Sequence, residues 1–424
     1  MEKVGKIVKI TPNVIEQNKI TNYMLTLKNT SNIESIEVLS RGDFYHKDTL
    51  KYKIKNNTIL FSHIMPYLGE FVIKVNFTYK ESKTVSLYCL TKTMIKLRPL
   101  KGDLHMHSTY SDGRATPFAM VLASLEAGMD FLSVTDHDSY EGSLNAIEKV
   151  KKNNIDILVL AGEEVSVGGK KDMSVSQGNG HILSINSNKS IEQLRKDTKK
   201  YEKELQEIAK VLKKEDIDKN IDPIHYAKNI WVINKIKEAR GISILAHPNW
   251  VYRDGKYHLH QAFYKEMLKS SHLDGVEVFG EEKIKEHNNM THLTALQTKN
   301  KHKYLAPFAN SDAHDSDHEI GDRFTILFVK EKSASSIIEA MKVGLTCAIF
   351  KRENYEHQFI GKDELAQYVY FLIKEYYPKH STLKSRLAKL YIDQLINGES
   401  FDKKINIVKK KLQDYTNSFY GIEN

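Results

Sequence analysis

The sequence predicts an α/β fold in which a parallel sheet covered by helices lies between a small β-sandwich and a helical C-terminal appendage. Three observations indicate this organisation. Residues 1–97 contain short strands separated by turn residues, residues 98–350 alternate apolar strands with helical segments, and residues 351–424 have helical periodicity. A chain of 424 residues is long enough for more than one hydrophobic core.

The first segment has the alternating pattern of half-buried strands. Seven short strands are predicted between Gly5 and Leu90, and the alternation is clearest over residues 69–77. Turn signals such as Asn56-Asn57 and Pro66 separate the strands. The segment contains no cluster of titratable groups that predicts a site, so we expect a β-sandwich that packs on, or extends the rim of, the following domain.

The second segment begins with a well-marked helix. Thr116 is a plausible N-cap, Pro117 stands at the first helical position, and Gly128 marks the end. A helix is also expected at 142–153 and another at 333–343. The predicted strands of this segment are 130–138, 155–160, 181–185, 241–248, 274–279, 304–310 and 324–329. Because strands and helices alternate, the strands should form a parallel sheet, open or closed into a barrel.

Two parts of the chain depart from this alternation. Residues 189–240 are highly charged and helical in period, which predicts an amphipathic helical insertion that could cover the site. Its charges more often mark a solvated face than a binding surface. Residues from about 355 onward are rich in Tyr, Leu and Lys, with breaks at Pro378 and Gly398, and predict a helical appendage.

Polar side chains recur where the predicted strands end. His105 and His107 are two residues apart, so an extended backbone would direct both imidazoles to one face. A single His-x-His has ordinary explanations, but similar groups follow the later strands: Asp112, Asp136, His137, Glu164, His181, His247, Glu277, Asp312 and His314. So many buried charges would be costly without a shared cation, which predicts a polynuclear metal site at the carboxyl ends of the strands.

These residues resemble the motifs of the polymerase-and-histidinol-phosphatase (PHP) domain. The motifs, in order, are His105-x-His107, Ser111-Asp112-Gly113, Thr135-Asp136-His137, Gly162-x-Glu164, His181, Ala246-His247-Pro248 and Ser311-Asp312-x-His314. The resemblance covers roughly residues 100–348 and implies a distorted (β/α)7 TIM-like barrel with two or three divalent ions, zinc, manganese or iron. The preceding β-domain is similar to the subgroup named for the CehA and McbA metallohydrolases.

Carried over by motif, the resemblance implies three sets of metal ligands. The first is His105, His107, Glu164 and Asp312; in the second, Glu164 bridges to His181 and His247; the third is Asp112, His137 and His314. Glu163 is adjacent to Glu164 and is an alternative ligand. Asp136 and Glu277 are expected to orient histidines or a nucleophilic water.

The resemblance implies hydrolysis of a phosphomonoester or phosphodiester, such as a nucleotide or sugar phosphate, by a metal-bound hydroxide. Arg114 and Arg323 are candidate phosphate clamps, although either could be an ordinary surface arginine. Trp250 and Tyr252 could stack on a base or sugar. Two alternatives remain: hydrolysis of a carboxylic or carbamic ester by the same metals, and a non-catalytic metal-stabilised binding module.

Composition constrains the partners and the compartment. A formal charge of +9 is compatible with nucleic acid, but lysines are spread along the whole chain as a general compositional bias, so nucleic acid is not favoured. The proposed hydrolysis makes a small phosphorylated substrate the expected partner. Only Cys89 and Cys347 are present, without metal spacing, which favours a reducing compartment. No apolar run is long enough to span a bilayer and no signal peptide is evident, so a cytoplasmic protein without a membrane partner is expected. Oligomeric state does not follow from the sequence.

Overall fold

The computed structural model describes residues 7–28, 30, 32–41, 45–78, 81–168, 180–213, 217–251, 259–269, 273–280, 304–317, 320–351 and 357–422. The chain forms two compact units. The β-unit comprises the described residues within Met1–Arg98, Asp363–Leu390 and Gly398–Asn424. The α/β unit comprises those within Pro99–Lys362 and Tyr391–Asn397.

The β-unit contains two sheets around one core. Its strands are β1 (Ile7–Thr11), β2 (Val14–Glu16), β3 (Ile20–Leu27), β4 (Ile33–Ser40), β5 (Lys47–Thr49), β6 (Lys53–Lys55), β7 (Thr58–Ile64), β8 (Gly69–Phe77) and β9 (Ser82–Leu90). One sheet has the order β1-β3-β7-β6 and the other β2-β9-β8-β4-β5. Alternate residues of both sheets, such as Leu25 and Ile73, are buried in a shared cluster. The short strands β2 and β5 were not predicted.

The α/β unit contains eleven described strands in two sheets. They are β10 (Arg98–Asp103), β11 (Phe131–Ser133), β12 (Leu158–Leu160), β13 (Gly162–Ser166), β14 (His181–Ile185), β15 (Ile242–Leu245), β16 (Gly275–Phe279), β17 (Ala306–Ala309), β18 (Arg323–Val329), β19 (Thr346–Lys351) and β20 (His357–Gly361). The sheet orders are β12-β11-β10-β18-β19-β20 and β13-β14-β15-β16-β17. Isolated parallel bridges join Met106 to Ala313 and His137 to Glu164.

The strand pairing of the α/β unit does not confirm the prediction of a (β/α)7 barrel. The pairs β10–β11, β11–β12, β15–β16 and β16–β17 are parallel. However, β14 is antiparallel to both of its neighbours, and β19 is antiparallel to β18 and β20. The prediction of helix from about residue 355 was therefore wrong for His357–Gly361, because this short segment pairs with β19 as an edge strand. Local periodicity does not reveal that pairing.

The helices of the α/β unit are α1 (Pro117–Glu126), α2 (Glu141–Lys152), α3 (Ile191–Arg195), α4 (Thr198–Leu212), α5 (Pro223–Glu238), α6 (Gln261–Lys269) and α7 (Ala334–Lys342). The capping prediction for α1 is confirmed: the Thr116 side chain accepts a hydrogen bond from the Ala119 amide, and Pro117 begins the helix. Helices α3 to α5 occupy the predicted insertion, and their buried side chains share a cluster with Val165 and Leu245.

The C-terminal helices are α8 (Asp363–Glu375), α9 (Tyr377–Asn397) and α10 (Asp402–Tyr420). Within the β-unit, aromatic contacts join α8 and α10 to the strands. The Tyr88 ring lies 4.8 Å from the ring of Tyr368, whose hydroxyl is 2.9 Å from the Tyr420 hydroxyl. The Asn13 amide donates to the Phe419 carbonyl at 2.8 Å. Among the described residues, none of the helices combines the length and the apolar character that a bilayer crossing requires.

Candidate metal centre

The segment after β10 places two imidazoles beside the segment after β17. The His107 amide donates to the Ala313 carbonyl at 2.8 Å, and the Asp312 amide donates to the His105 carbonyl at 2.9 Å. This pairing continues the extended backbone beyond β10, so His105 and His107 project to the same face. Asp312 has a φ of 56°, a left-handed conformation that is uncommon outside glycine and typical of functional sites.

The first group of potential ligands is fully buried and consists of His105, His107, Glu164 and Asp312. The Nε2 atoms of His105 and His107 lie 3.0 and 2.9 Å from Asp312 Oδ1. The two Nε2 atoms are themselves 3.3 Å apart. Four ligand atoms therefore converge on one small volume, in the set that the sequence resemblance implied.

Glu164 connects this group to further histidines. Its Oε1 atom lies 2.9 Å from His181 Nδ1 and 2.9 Å from His247 Nε2. Its Oε2 atom lies 3.3 Å from the Nε2 atoms of His105 and His107. This buried Oε2 atom has no hydrogen-bond partner among the described residues, although imidazole nitrogens surround it. A carboxylate in this position is suited to bridge two cations.

The third group is half-exposed and contains His107, Asp112, His137 and His314. His314 Nε2 lies 3.4 Å and His137 Nε2 3.6 Å from Asp112 Oδ2. His137 also presents Nδ1 to Glu164 Oε2 at 3.0 Å, so this ring lies between two groups. The Asp112 side chain is 54% exposed, which makes this the side of the cluster that solvent reaches.

Neighbouring acceptors fix how two of the imidazoles point. Glu277 Oε1 lies 2.9 Å from His105 Nδ1, and this buried carboxylate also accepts hydrogen bonds from the Asn310 side chain and the His247 amide. The Asp312 carbonyl lies 2.9 Å from His314 Nδ1. Because each acceptor holds a proton on Nδ1, Nε2 of both rings is left to bind a cation.

Asp136 holds the loop after His107 and does not join the ligand groups. Its carboxylate accepts hydrogen bonds of 2.7 Å from the Ser108 amide, the Ser108 hydroxyl and the Ser111 hydroxyl. Gly142 provides the space for it, since a Cβ atom there would lie 1.9 Å from Asp136 Oδ2. The side-chain contacts of Asp136 are with Ser108 and Ser111, so its action on histidines or on a nucleophilic water stays a prediction.

Glu163 is directed away from the cluster. It precedes Glu164 on β13, and neighbouring residues of a strand face opposite sides of the sheet. Its carboxylate accepts hydrogen bonds from the Ser190 hydroxyl and the Ile191 amide at the start of α3. Burial raises the pKa of Glu163 to about 7. The alternative in which Glu163 replaces Glu164 as a ligand therefore has no support in the geometry.

The predicted substrate-binding residues occupy different environments. The Arg114 side chain is 82% exposed, 4.0 Å from Asp315, while its amide donates to the His314 carbonyl. Arg323 is 7% exposed and its guanidinium lies over the Phe350 ring at 4.8 Å, a packing contact that replaces the expected loop position. Trp250 packs edge-on against His247 at 5.6 Å. Tyr252 lies outside the described residues.

The electrostatics of the cluster suit cation binding. Burial alone would favour neutral carboxyl groups, but the facing imidazoles hold the pKa of Glu164 and Asp312 well below the usual range. Burial lowers the pKa of His181, whereas the facing carboxylates outweigh burial and raise the pKa of His105. Buried nitrogen and oxygen donors around an unsatisfied carboxylate oxygen fit zinc, manganese or iron.

Two supporting residues were not predicted from the sequence. Asn310 accepts from the Leu104 amide at 2.9 Å and donates to Glu277 at 2.8 Å. Asp103 accepts from the amides of His105 and Ser311, and burial raises its pKa to about 7. Asp103 is the last residue of β10 and Asn310 directly follows β17, and this position at a strand end is the signal that the sequence offers. Their hydrogen bonds connect the end of β10 to the segment after β17, next to the potential ligands.

The comparisons with known proteins point to one family. Residues 103–306 match the PHP domain. DNA polymerase/3'-5' exonuclease PolX of Bacillus subtilis (strain 168) is 34% identical over 86 residues, 20% of this chain and 15% of that protein. The 5'-3' exoribonuclease Rnm of Escherichia coli (strain K12) is 36% identical over 64 residues, 15% of this chain and 22% of that protein. The matches thus span less than a quarter of these curated relatives.

A solved two-domain protein from Bacteroides vulgatus, whose description includes a PHP-like metal-dependent phosphoesterase, has 21% sequence identity and a TM-score of 0.39. The structural match covers 60% of this chain and 66% of the chain of that protein. The family match supports the prediction of a metal-dependent hydrolase. Asp312 and His314 lie beyond the matched residues, but the structure brings both to the cluster. The match with the PHP domain thus covers a little under half of this chain.

Proposed function

We propose that this protein is a metal-dependent phosphoesterase that hydrolyses a phosphodiester or phosphomonoester, such as a nucleotide or a sugar phosphate. The observation that carries the proposal is the convergence of His105, His107 and His137 on the unsatisfied Oε2 atom of Glu164. Divalent ions bound here would lower the pKa of coordinated water and neutralise phosphate charge.

Different residues of the site would bind the ions, orient the ligands and admit the phosphate group. Glu164 belongs to more than one potential ligand group, so its two carboxylate oxygens would contribute to both. Glu277 and Asp136 orient the ligands and the loop that carries them. The half-exposed set of Asp112, His137 and His314 is the side from which a phosphate group can enter.

The names of the curated relatives favour a phosphorus centre over a carboxylic ester. PolX and Rnm are named as an exonuclease and an exoribonuclease, and exonucleases cleave phosphodiester bonds. These names also keep nucleic acid as an alternative to a small phosphorylated substrate. Arg114, on the exposed rim of the site, is the better placed of the two predicted phosphate clamps, because Arg323 is buried against an aromatic ring.

A side-by-side assay tests the proposal. The full chain is incubated with zinc, manganese or iron(II) and given an aryl phosphate, a bis-aryl phosphate, nucleotides, a single-stranded oligonucleotide and an aryl ester. We expect turnover of a phosphoester that a chelator abolishes and that added metal restores. Turnover of the ester without any phosphoester would contradict the proposal, and cleavage of the oligonucleotide alone would identify nucleic acid as the substrate.

A further inference from the structure

The β-unit contains a second group of potential metal ligands, which consists of His46, Asp48 and His63. Asp48 Oδ2 lies 3.1 Å from His46 Nε2 and 3.5 Å from His63 Nε2. His46 and Asp48 are two residues apart at β5, so they project to the same face of that strand. His63 is on β7.

The cluster joins the two sheets of the sandwich. Strand β5 is at the edge of one sheet, next to β4, whereas β7 lies inside the other sheet, between β3 and β6. Hydrogen bonds between strands do not connect β5 to β7. A group held by His46, Asp48 and His63 together would therefore link the sheets at this edge.

The imidazole nitrogens of the cluster lack ordinary partners. The Nε2 atoms of His46 and His63 are buried, and neither has a hydrogen-bond partner among the described residues, although both face one carboxylate oxygen. Buried imidazole nitrogens are normally satisfied. Zinc bonds of about 2.0–2.1 Å in a tetrahedral site place neighbouring ligand atoms about 3.3 Å apart. The two observed separations, 3.1 and 3.5 Å, lie on either side of that spacing.

The surroundings of the cluster are apolar on the imidazole side and open to solvent on the carboxylate side. The His46 ring lies 5.9 Å from the Tyr67 ring and 6.2 Å from the Phe71 ring, so the imidazole side is apolar. The side chains of His46 and His63 are 19% and 17% exposed, whereas Asp48 is 48% exposed and leaves room for a water ligand. Two imidazoles and one carboxylate suit zinc better than magnesium or calcium.

We propose that His46, Asp48 and His63 bind a zinc ion that links the two sheets of the β-unit. The site is built without any residue of the PHP domain, so the inference does not rest on the proposed function. Its expected effect is on the stability of the sandwich, since an ion that binds only the folded chain stabilises it.

The zinc content of the full-length protein tests this inference. Wild-type protein and the variants Asp48→Asn and His63→Gln are loaded with zinc, dialysed against metal-free buffer and measured by elemental analysis. We expect each variant to retain one zinc ion per chain fewer than wild type. His225→Gln is the matched control, because His225 lies 3.8 Å from Asp222 without a second histidine in its group. The control should retain the wild-type content.

Asp48→Asn is the decisive variant, because it replaces one oxygen of a half-exposed carboxylate by an NH2 group. Its circular dichroism spectrum should match that of wild type, which would show that the fold is intact. A second measurement uses the chelator-treated protein: added zinc should raise the unfolding temperature of wild type more than that of Asp48→Asn. Unchanged zinc content in Asp48→Asn and His63→Gln would overturn the inference, and so would equal stabilisation of wild type and Asp48→Asn by zinc.

Discussion

The α/β unit and the β-unit each gather imidazoles and carboxylates, but with different support. In the α/β unit the candidate ligands follow several strands and six of them are buried. Glu277, which accepts a hydrogen bond from Asn310, contacts His105. In the β-unit, His46, Asp48 and His63 are partly exposed and come from two strands of different sheets. The first arrangement is preorganised for chemistry, whereas the second is suited to join two surfaces.

The largest expected effect is that of a substitution in the α/β unit that should leave the β-unit unchanged. Glu164→Gln should lower phosphoester turnover by more than about 100-fold, because loss of a supporting residue alone costs about 10–100-fold and Glu164 is itself a bridging ligand candidate. Bound metal should fall in the same variant, while the zinc assigned to the β-unit remains. Kinetics and elemental analysis provide the two measurements.

Glu163→Gln is the matched control for this comparison, since it changes the neighbouring residue of β13 on the opposite face. It should retain metal content and turnover within a few-fold of wild type. Equal losses of metal in the two variants would contradict the assignment of Glu164 as the bridging ligand.

A smaller effect is expected from a residue behind the ligands. Glu277→Gln should weaken metal binding or activity by about 10–100-fold, because the amide removes the charge that holds the His105 tautomer. Added metal should partly restore turnover in this variant and fail to do so in Glu164→Gln. A metal titration of activity measures the difference, and identical titration curves for wild type and Glu277→Gln would exclude the orienting role.

A last effect, on stability and not on activity, concerns a buried charge of the α/β unit that lies outside the potential ligand groups. Burial lowers the pKa of Lys101 to about 8, below its usual 10.5. The unfolded chain therefore binds a proton between these pH values that the folded chain has released, so Lys101 makes stability rise with pH across this window. The rise amounts to at most about 3 kcal/mol.

Lys101→Met should remove this contribution. The free energy of unfolding of the variant minus that of wild type should therefore fall as the pH rises from 8 to 10.5. Denaturant titrations at several pH values measure it. A difference that is independent of pH would show that the Lys101 ammonium is not penalised by burial in the folded protein.

The sequence grouped the residues that the structure brings together around Glu164, because these residues belong to local patterns. His105 and His107 flank one residue of an extended segment, and Asp312 and His314 repeat that spacing, so motif order was sufficient to group them. The orientation of each ring could not be predicted, since it depends on Glu277 and on the Asp312 carbonyl, which come together only in the folded unit.

Other features depended on strand pairing that local pattern does not encode. The cluster at His46 was missed because β5, only three residues long, was not predicted as a strand, and because β7 belongs to a different sheet. The prediction of helix for His357–Gly361 is wrong because the pairing of this segment with β19 is a tertiary contact, which the local sequence pattern does not reveal. Arg323 was expected in a loop, but the first residue of β18 packs on the ring of Phe350.

The adjacent pair Glu163 and Glu164 has a consequence for evolution of this strand. The Glu163 carboxylate contacts the start of α3 and the Glu164 carboxylate faces the candidate metal centre, because neighbouring residues of β13 point to opposite faces. Insertion or deletion of a single residue earlier in the strand would reverse the face to which each carboxylate points, so neither would keep its present partners. Length variation should therefore be absent from β13 and confined to the flanking connections.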